Sequence, residues 1–340
     1  MPHPNSSLTH SANVFASAAF LAVVLGIALG SARTQAARAK NDVPKPGMFT
    51  ISDNVDLVLL DVSVKGPKGG YVTGLRKTNF KVFEDGRPRE ITHFSSVDEP
   101  VTIGLVVDNS GSMRDKKAEV VMAGLSFAKQ SNPEDEFFVV NFNNSVVRGL
   151  PPYVMFTDKL DQLKQALFYG QPAGQTALYD AIAYSLRHLE YGHREKRTLI
   201  VVSDGGDNVS TTTFPELMKM IEASRATIYT VGLYEDGDRD ANPNVMRRIA
   251  AVSGGEFFEP AETKDVLPIF DKISQDIRNS YTIGYVPDEV TDHHVVRSVK
   301  VMAQEDARRL TVHTRTAYIT TKLSDLMAQQ DAKHSPAAAH

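Results

Sequence analysis

From Val101 onward, short runs that are apolar at nearly every position alternate with longer stretches whose apolar residues recur every three or four positions. The runs are TIGLVV at 102–107, EFFVVNF at 136–142, TLIVV at 198–202 and TIYTVGL at 227–233. Strands so uniformly apolar must be buried on both faces, which is the pattern of a parallel sheet covered by helices. The intervening spacing predicts helices over 116–130, 158–168, 177–189 and 215–223, then over 244–252 and 263–278. Thr213 and Glu216 stand at capping-box spacing ahead of the fourth, and Gly254-Gly255 closes the fifth. Residues 100–278 therefore read as a doubly wound, mostly parallel α/β domain.

On either side the period changes to two. Val55, Leu57 and Leu59 interleave with their neighbours up to a Gly/Pro turn at 66–70, and FKVF at 80–83 is joined to ITHF at 91–94 through Asp85-Gly86. After Asn279 strands return at 281–285, 295–302 and 310–318. Neither set is large enough to be stable alone. The expectation is a discontinuous, β-rich, sandwich-like domain made of 49–97 plus 280–319, with the α/β domain inserted. Residues 320–340 are polar and Ala-rich without a period, so a disordered tail is expected there.

Residues 14–29 read VFASAAFLAVVLGIAL, an uncharged apolar run followed by small residues at Gly30-Ser31-Ala32 and Ala37-Arg38-Ala39. Met1 to His10 carries no Lys or Arg, whereas Arg33, Arg38 and Lys40 lie downstream, opposite to the usual bias of an export signal. Residues 1–40 thus read as a cleaved signal peptide or as a retained N-terminal membrane anchor, with a buried core helix as the third reading. The first two put the remaining chain outside the cytoplasm: periplasmic, secreted or membrane-anchored.

Composition removes several function classes. With 37 Lys and Arg against 41 Asp and Glu, the formal charge of -4 offers no broad attraction for nucleic acid or anionic lipid. Membrane contact is left to the N-terminal segment. The absence of Cys excludes disulfides, thiolate nucleophiles and Cys-ligated zinc. Function has to come from a local site.

One constellation offers such a site. The first α/β strand runs into Asp108-Asn109-Ser110-Gly111-Ser112, the third into Ser203-Asp204-Gly205-Gly206-Asp207, and Thr176 precedes a helix in Gly174-Gln175-Thr176-Ala177. In an open α/β sheet, ligands bind beyond the carboxyl ends of the strands where the strand order reverses, so the three segments are expected to converge. Hard oxygen ligands suit Mg²⁺, with Mn²⁺ or Ca²⁺ as alternatives, and not a soft metal. A set mixing hydroxyls with two or three carboxylates leaves a position for an outside ligand.

Asp108, Ser110, Ser112, Thr176 and Asp204 resemble the complete metal-ion-dependent adhesion site of von Willebrand factor A-type domains. The wider stretches FKVFEDGRPREITHF, GQTALYDAI, YEDGDRDANPNVMRRIAAVSGG and YTIGYVPDE are similar to the bacterial von Willebrand factor A-related proteins abundant in Acidobacteria. The resemblance implies Mg²⁺ bound through the two serines and often the threonine, with the aspartates acting largely through water. It also implies a protein partner whose Asp or Glu carboxylate completes the ion's shell.

Other readings are weaker. Asp108 and Ser110 could cap a helix, which explains neither Thr176 nor Asp204. Asp207 reads as a ligand-supporting or solvated loop residue. Asp236, Asp238 and Asp240 begin like a Ca²⁺ loop, but Ala241 and Arg247 stand where that loop needs Gly and Glu. His188 and His193 make no zinc-protease motif, Ser110 has no nucleophile elbow, no phosphate-binding Gly loop is present, and His293-His294 reads as an exposed loop. The chain is therefore read as a non-enzymatic, metal-dependent binding module of the cell envelope. The alternatives are a hydrolase using the ion as a Lewis acid and a purely structural metal.

Overall fold

The computed structural model describes residues 57–234, 241–288, 295–306 and 308–334, which belong to one compact unit. The apolar segment at 14–29, the Asp236, Asp238 and Asp240 cluster and His293-His294 lie outside the described residues. Among the described residues, no helix is long and apolar enough to cross a membrane.

The N-terminal flank supplies β1 (Val58–Lys65), β2 (Phe80–Glu84), β3 (Arg87–Arg89) and β4 (Ile91–Ser95). The centre supplies β5 (Val101–Asp108), β6 (Glu136–Phe142), β7 (Val146–Arg148), β8 (Lys196–Ser203), β9 (Thr227–Gly232) and β10 (Phe257–Phe258). The C-terminal flank supplies β11 (Tyr281–Tyr285), β12 (Val296–Glu305), β13 (Arg308–Arg309), β14 (Thr311–His313) and β15 (Ala317–Ile319). The helices are α1 (Lys117–Gln130), α2 (Leu160–Phe168), α3 (Leu178–Leu189), α4 (Phe214–Ala223), α5 (Pro243–Ser253), α6 (Val266–Arg278) and α7 (Leu323–His334).

The central sheet has the order β10-β9-β8-β5-β6-β7, parallel throughout except for the edge strand β7. Every residue of β5 is buried, as is every residue of β9, so both faces are covered. On the helical layers α1 packs against α2 and α6, and α4 packs against α3 and α5. The chain leaves β5 toward β6, then crosses back to place β8 on the other side of β5. That reversal opens a crevice beyond the carboxyl ends of β5 and β8, where Val107 pairs with Val202.

Gly104 sits at the middle of this sheet because nothing larger fits. A Cβ there would stand 2.4 Å from Phe138 Cζ and 2.5 Å from a Leu199 methyl. Gly104→Ala is therefore expected to destabilise the fold by about 1–3 kcal/mol through overpacking, read as a lower urea midpoint at unchanged slope. An unchanged midpoint would mean that Phe138 and Leu199 can both withdraw.

Strands from the two flanks share two antiparallel sheets. One has the order β14-β1-β11-β4 and the other β13-β12-β2-β3, with β15 also paired to β12. Their inner faces meet in a separate core that includes Leu60, Val62, Phe80, Val82, Tyr281, Ile283 and Val301. Both flanks must therefore be present for this core to close. Polar contacts tie it to the central sheet: Ser63 Oγ of β1 and the Tyr229 hydroxyl of β9 both donate to Asp276 of α6, the latter at 2.6 Å.

The C-terminal stretch corrects an expectation. Residues 320–340 were expected to be disordered, but 323–334 form helix α7, which packs on α4. Leu323 and Gln330 are buried, Met327 packs on the main core, and Arg187 of α3 reaches Gln330 and Asp331. Burial of one face supplies what sequence period alone does not.

Candidate metal site at the sheet crevice

Each segment of the constellation arrives from the end of an element. β5 delivers Asp108 fully buried, and a short 3-10 turn over Gly111–Met113 follows it. Asp108 Oδ1 accepts from the Ser110 amide at 2.7 Å, which folds the loop back over the strand end. Its Oδ2 accepts from Ser203 Oγ on β8 at 2.6 Å. Both oxygens are thus engaged in holding the two strand ends together.

The hydroxyls gather beside it. Ser110 Oγ and Ser112 Oγ are 3.0 Å apart, and Ser112 Oγ donates to Asp204 Oδ2 at 2.6 Å. Asp204 Oδ1 accepts from the Gly206 amide at 3.1 Å. Gly205 between them has φ +78°, and a Cβ on it would meet the Asn242 carbonyl at 2.8 Å, so the turn that aims Asp204 requires glycine. Burial pushes the Asp108 carboxyl up to about 6, and the neighbouring Asp204 charge adds to it, against hydrogen bonds from Ser203 and Ser110. Two buried carboxylates in one crevice favour a cation.

Thr176 enters on a third loop. That loop is bound to the first by the Gly111 amide on the Gly174 carbonyl at 3.2 Å and by the Ala173 amide on the Asn109 carbonyl at 2.9 Å. Gly174 has φ +83°, a turn that a side chain would strain. The Thr176 backbone pairs in both directions with Asn208, at 2.9 Å to its side chain and 3.0 Å from its amide. Its hydroxyl has no hydrogen-bond partner among the described residues. Direct side-chain bonds therefore join Ser110, Ser112 and Asp204, Asp108 stands behind them, and Thr176 is brought in through its backbone.

Asp207 stands apart from this group. Its Oδ1 accepts from the Tyr179 amide at 3.1 Å and from Ser210 Oγ at 2.6 Å, so it ties the start of α3 to the loop after β8. His188 is packed between Phe138 and Phe156 with Nε2 on the Met155 carbonyl, and His193 Nδ1 bonds Glu136. Neither histidine is placed at the crevice.

Two lysines escaped the sequence reading. Lys116 Nζ donates to the Leu233 carbonyl at 3.0 Å. Lys117 Nζ donates to the Tyr169 and Gly170 carbonyls at 3.2 and 2.5 Å. Adjacent residues at the start of α1 thus hold two opposite rims of the crevice, and burial lowers the Lys117 amine from its ordinary value. The signal was present: consecutive cations at a helix N-terminus oppose the helix dipole and call for another reason to be there.

The donor set fits a small divalent cation. Ser112 Oγ lies within hydrogen-bonding distance of both Ser110 Oγ and Asp204 Oδ2, close enough for the three to face one ion, and all are hard oxygens. Among the described residues no three His, Cys, Asp or Glu side chains form a metal cage, so hydroxyls would have to complete the shell.

Residues 103–206 match the family model of the von Willebrand factor type A domain. No curated protein matches the chain. Among solved structures it is similar to a von Willebrand factor type A protein from Catenulispora acidiphila, at 14% identity over 79% of this chain and 75% of that one, TM-score 0.48. It is similar to the vWF domain of the type V pili tip protein Mfa5 from Porphyromonas gingivalis, at 16% identity over 53% and 95%, TM-score 0.42. A third is the conserved hypothetical protein BatB from Bacteroides thetaiotaomicron, at 20% identity over 52% and 97%, TM-score 0.41. The central sheet with its helices is a von Willebrand factor type A fold, carried together with additional antiparallel sheets.

Proposed function

We propose that this von Willebrand factor type A fold serves as a metal-dependent protein-binding module outside the cytoplasm, with Mg²⁺ held in the crevice by Ser110, Ser112, Thr176, Asp108 and Asp204. The observation that carries the reading is the linked set of Ser110, Ser112 and Asp204 oxygens at the switch point of the sheet. When bound, the ion supplies an electrophilic position for a hard anionic ligand, which among protein groups is an Asp or Glu carboxylate. The chain's own residues set the geometry: Ser203 orients Asp108, Gly205 aims Asp204, and the Gly174–Gly111 backbone bond brings the Thr176 loop alongside. Export follows from the apolar run at 14–29.

Among the described residues, neither Asp108 nor the two histidines singled out in the sequence offers the enzyme alternative a base: the Asp108 oxygens are occupied by Ser110 and Ser203, and His188 and His193 are bonded elsewhere. The purely structural alternative is disfavoured because hydrogen bonds already join all three loops.

Titration calorimetry of the full chain with Mg²⁺ tests the reading, repeated on a carboxylate peptide in Mg²⁺ and in chelator. One bound equivalent is expected, with peptide binding only when metal is present. At a Mg²⁺ concentration 100 times its Kd the fold should gain about 2.7 kcal/mol by mass action. Peptide binding that persists undiminished in chelator would refute the proposal.

A further inference from the structure

The antiparallel sheet that contains β2 is open at one place along its edge. On one side β12 accompanies β2 over its whole length, from Ala303 against Phe80 to Val299 against Glu84. On the other side β3 pairs with Val82, Phe83 and Glu84 alone. The chain then leaves for the second sheet, where Ile91 pairs with Tyr285 of β11. Phe80 and Lys81 thus have no strand partner on that side among the described residues, and a hollow of about 300 Å³ opens beside them. That volume is at the lower end of sites that enclose small organic ligands.

The hollow has a wall of one kind and charges of one sign. Phe80 and Val82, which belong to the buried face of β2, line it together with Phe83 and Pro88, which lie on the opposite face. Residues of both faces line it, so it is a notch into the sheet edge. Lys77, Lys81 and Arg89 supply cations, and no acidic side chain is part of the lining. The terminal nitrogens of Arg89 are committed to Glu84, at 2.8 Å, and to Asp288. Its Nε is buried and has no hydrogen-bond partner among the described residues. A buried N–H in that state is costly, which favours a ligand oxygen that can accept from it. Lys77 and Lys81 are exposed and form no ion pair among the described residues. With Arg89 balanced by Glu84 and Asp288, the two lysines leave a net positive charge beside an apolar wall.

We infer that this notch binds an organic anion, a carboxylate or phosphate head on an apolar body. The body is covered by Phe80, Phe83 and Pro88, and the head is held by Lys77 and Lys81, whose stems can lie along apolar surface with the ammonium in water. Charge complementarity sets the sign of the ligand: a cationic amphiphile meets repulsion, and a neutral one gains the wall alone. The site is built from the N-terminal flank and shares no residue with the crevice, so it stands or falls independently of the metal reading.

The test is calorimetric titration of the metal-stripped full chain with octanoate, hexanoate, octyl phosphate, octanol and octylammonium. Stripping the metal keeps carboxylate capture at the crevice out of the signal. Octanoate or octyl phosphate should bind at least about 10-fold more tightly than octanol, and octylammonium should not displace either. Hexanoate should bind roughly 10-fold more weakly than octanoate, because it buries two fewer methylenes. The double variant Lys77→Ala, Lys81→Ala changes two exposed side chains and should erase the preference for the anions over octanol, whereas Lys77→Arg, Lys81→Arg should retain it. Phe83→Ser should weaken octanoate and octanol alike, with an unchanged circular dichroism spectrum for every variant. Octanol binding as tightly as both anions overturns the proposal, as does a double Ala variant that binds the anions like wild type. Absence of binding by both octanoate and octyl phosphate overturns it too.

Discussion

Asp204→Ala is expected to lower Mg²⁺ affinity by about 100-fold or more, at or above what loss of a ligand-supporting residue commonly does, and to abolish metal-dependent partner binding with it. Asp204 supplies one of two buried carboxylates and accepts from Ser112 Oγ. Its removal therefore takes a charge from the crevice and releases the neighbouring Ser112 hydroxyl at once. Ser110→Ala removes one neutral oxygen and should weaken Mg²⁺ by only roughly 10-fold. Asp204→Asn keeps the size and an oxygen but not the charge, and should fall near the Ala variant if charge dominates. Calorimetric Mg²⁺ titrations of the three variants, with circular dichroism as the check on folding, read the order. Equal affinities for wild type and Asp204→Ala would move recognition away from the crevice.

Asp108 makes a less clean probe than its sequence position suggests. It looks equivalent to Asp204 in the motif, yet it is fully buried and holds the Ser110 amide and the Ser203 hydroxyl. Removing it leaves two buried donors unsatisfied, so Asp108→Ala should cost stability as well as metal, about 1–3 kcal/mol for each donor stranded. A variant series confined to Asp108 would confuse the two effects.

The legible parts of this chain were those fixed by local pattern. Runs such as TLIVV in β8 had to be strands buried on both faces, and the Thr213–Glu216 box does cap α4, with the Thr213 amide on Glu216 at 3.0 Å. The short strands β7 and β10 escaped notice because three and two residues carry no period of their own, and their partners β6 and β9 define them. Helix α7 escaped because its buried side offers few apolar residues, Leu323 and Met327 among polar ones, and becomes a face only against α4 and α3. At the site, spacing marked the residues whose segments meet at the crevice, whereas Ser203, Lys116 and Lys117 act by reaching across to other segments. Such distant pairings have no signature in one-dimensional order.

Glu84→Ala should destabilise the chain by about 3–5 kcal/mol, the range for stranding one side of a buried charge pair. Glu84 of β2 is completely buried, and four groups depend on it. Its Oε1 accepts from the Tyr318 and Tyr285 hydroxyls at 2.6 and 3.1 Å. Its Oε2 is 2.8 Å from the Arg89 guanidinium, and the Asp288 amide lies at 3.5 Å. Burial, with the Glu84 charge beside them, pushes both tyrosines well above the ordinary phenol range, so they remain neutral donors and cannot adapt by ionising. Arg89 retains Asp288 in the variant, which limits the damage on that side. Tyr318→Phe, which removes one donor and leaves the carboxylate its other partners, should lose about 1 kcal/mol. Because Glu84 comes from the N-terminal flank and both tyrosines from the C-terminal one, the cluster joins the strand sets that precede and follow the central sheet. Those sets are tied in turn to α6 and β9 through Asp276, and to Glu256 through Lys65 at 2.5 Å. Urea unfolding of Glu84→Ala should therefore remain a single transition at a lower midpoint, by far-UV circular dichroism and by tyrosine fluorescence alike. Two separated transitions would show that the antiparallel sheets unfold independently of the α/β core, and a shift below about 1 kcal/mol would show that water replaces the carboxylate without strain.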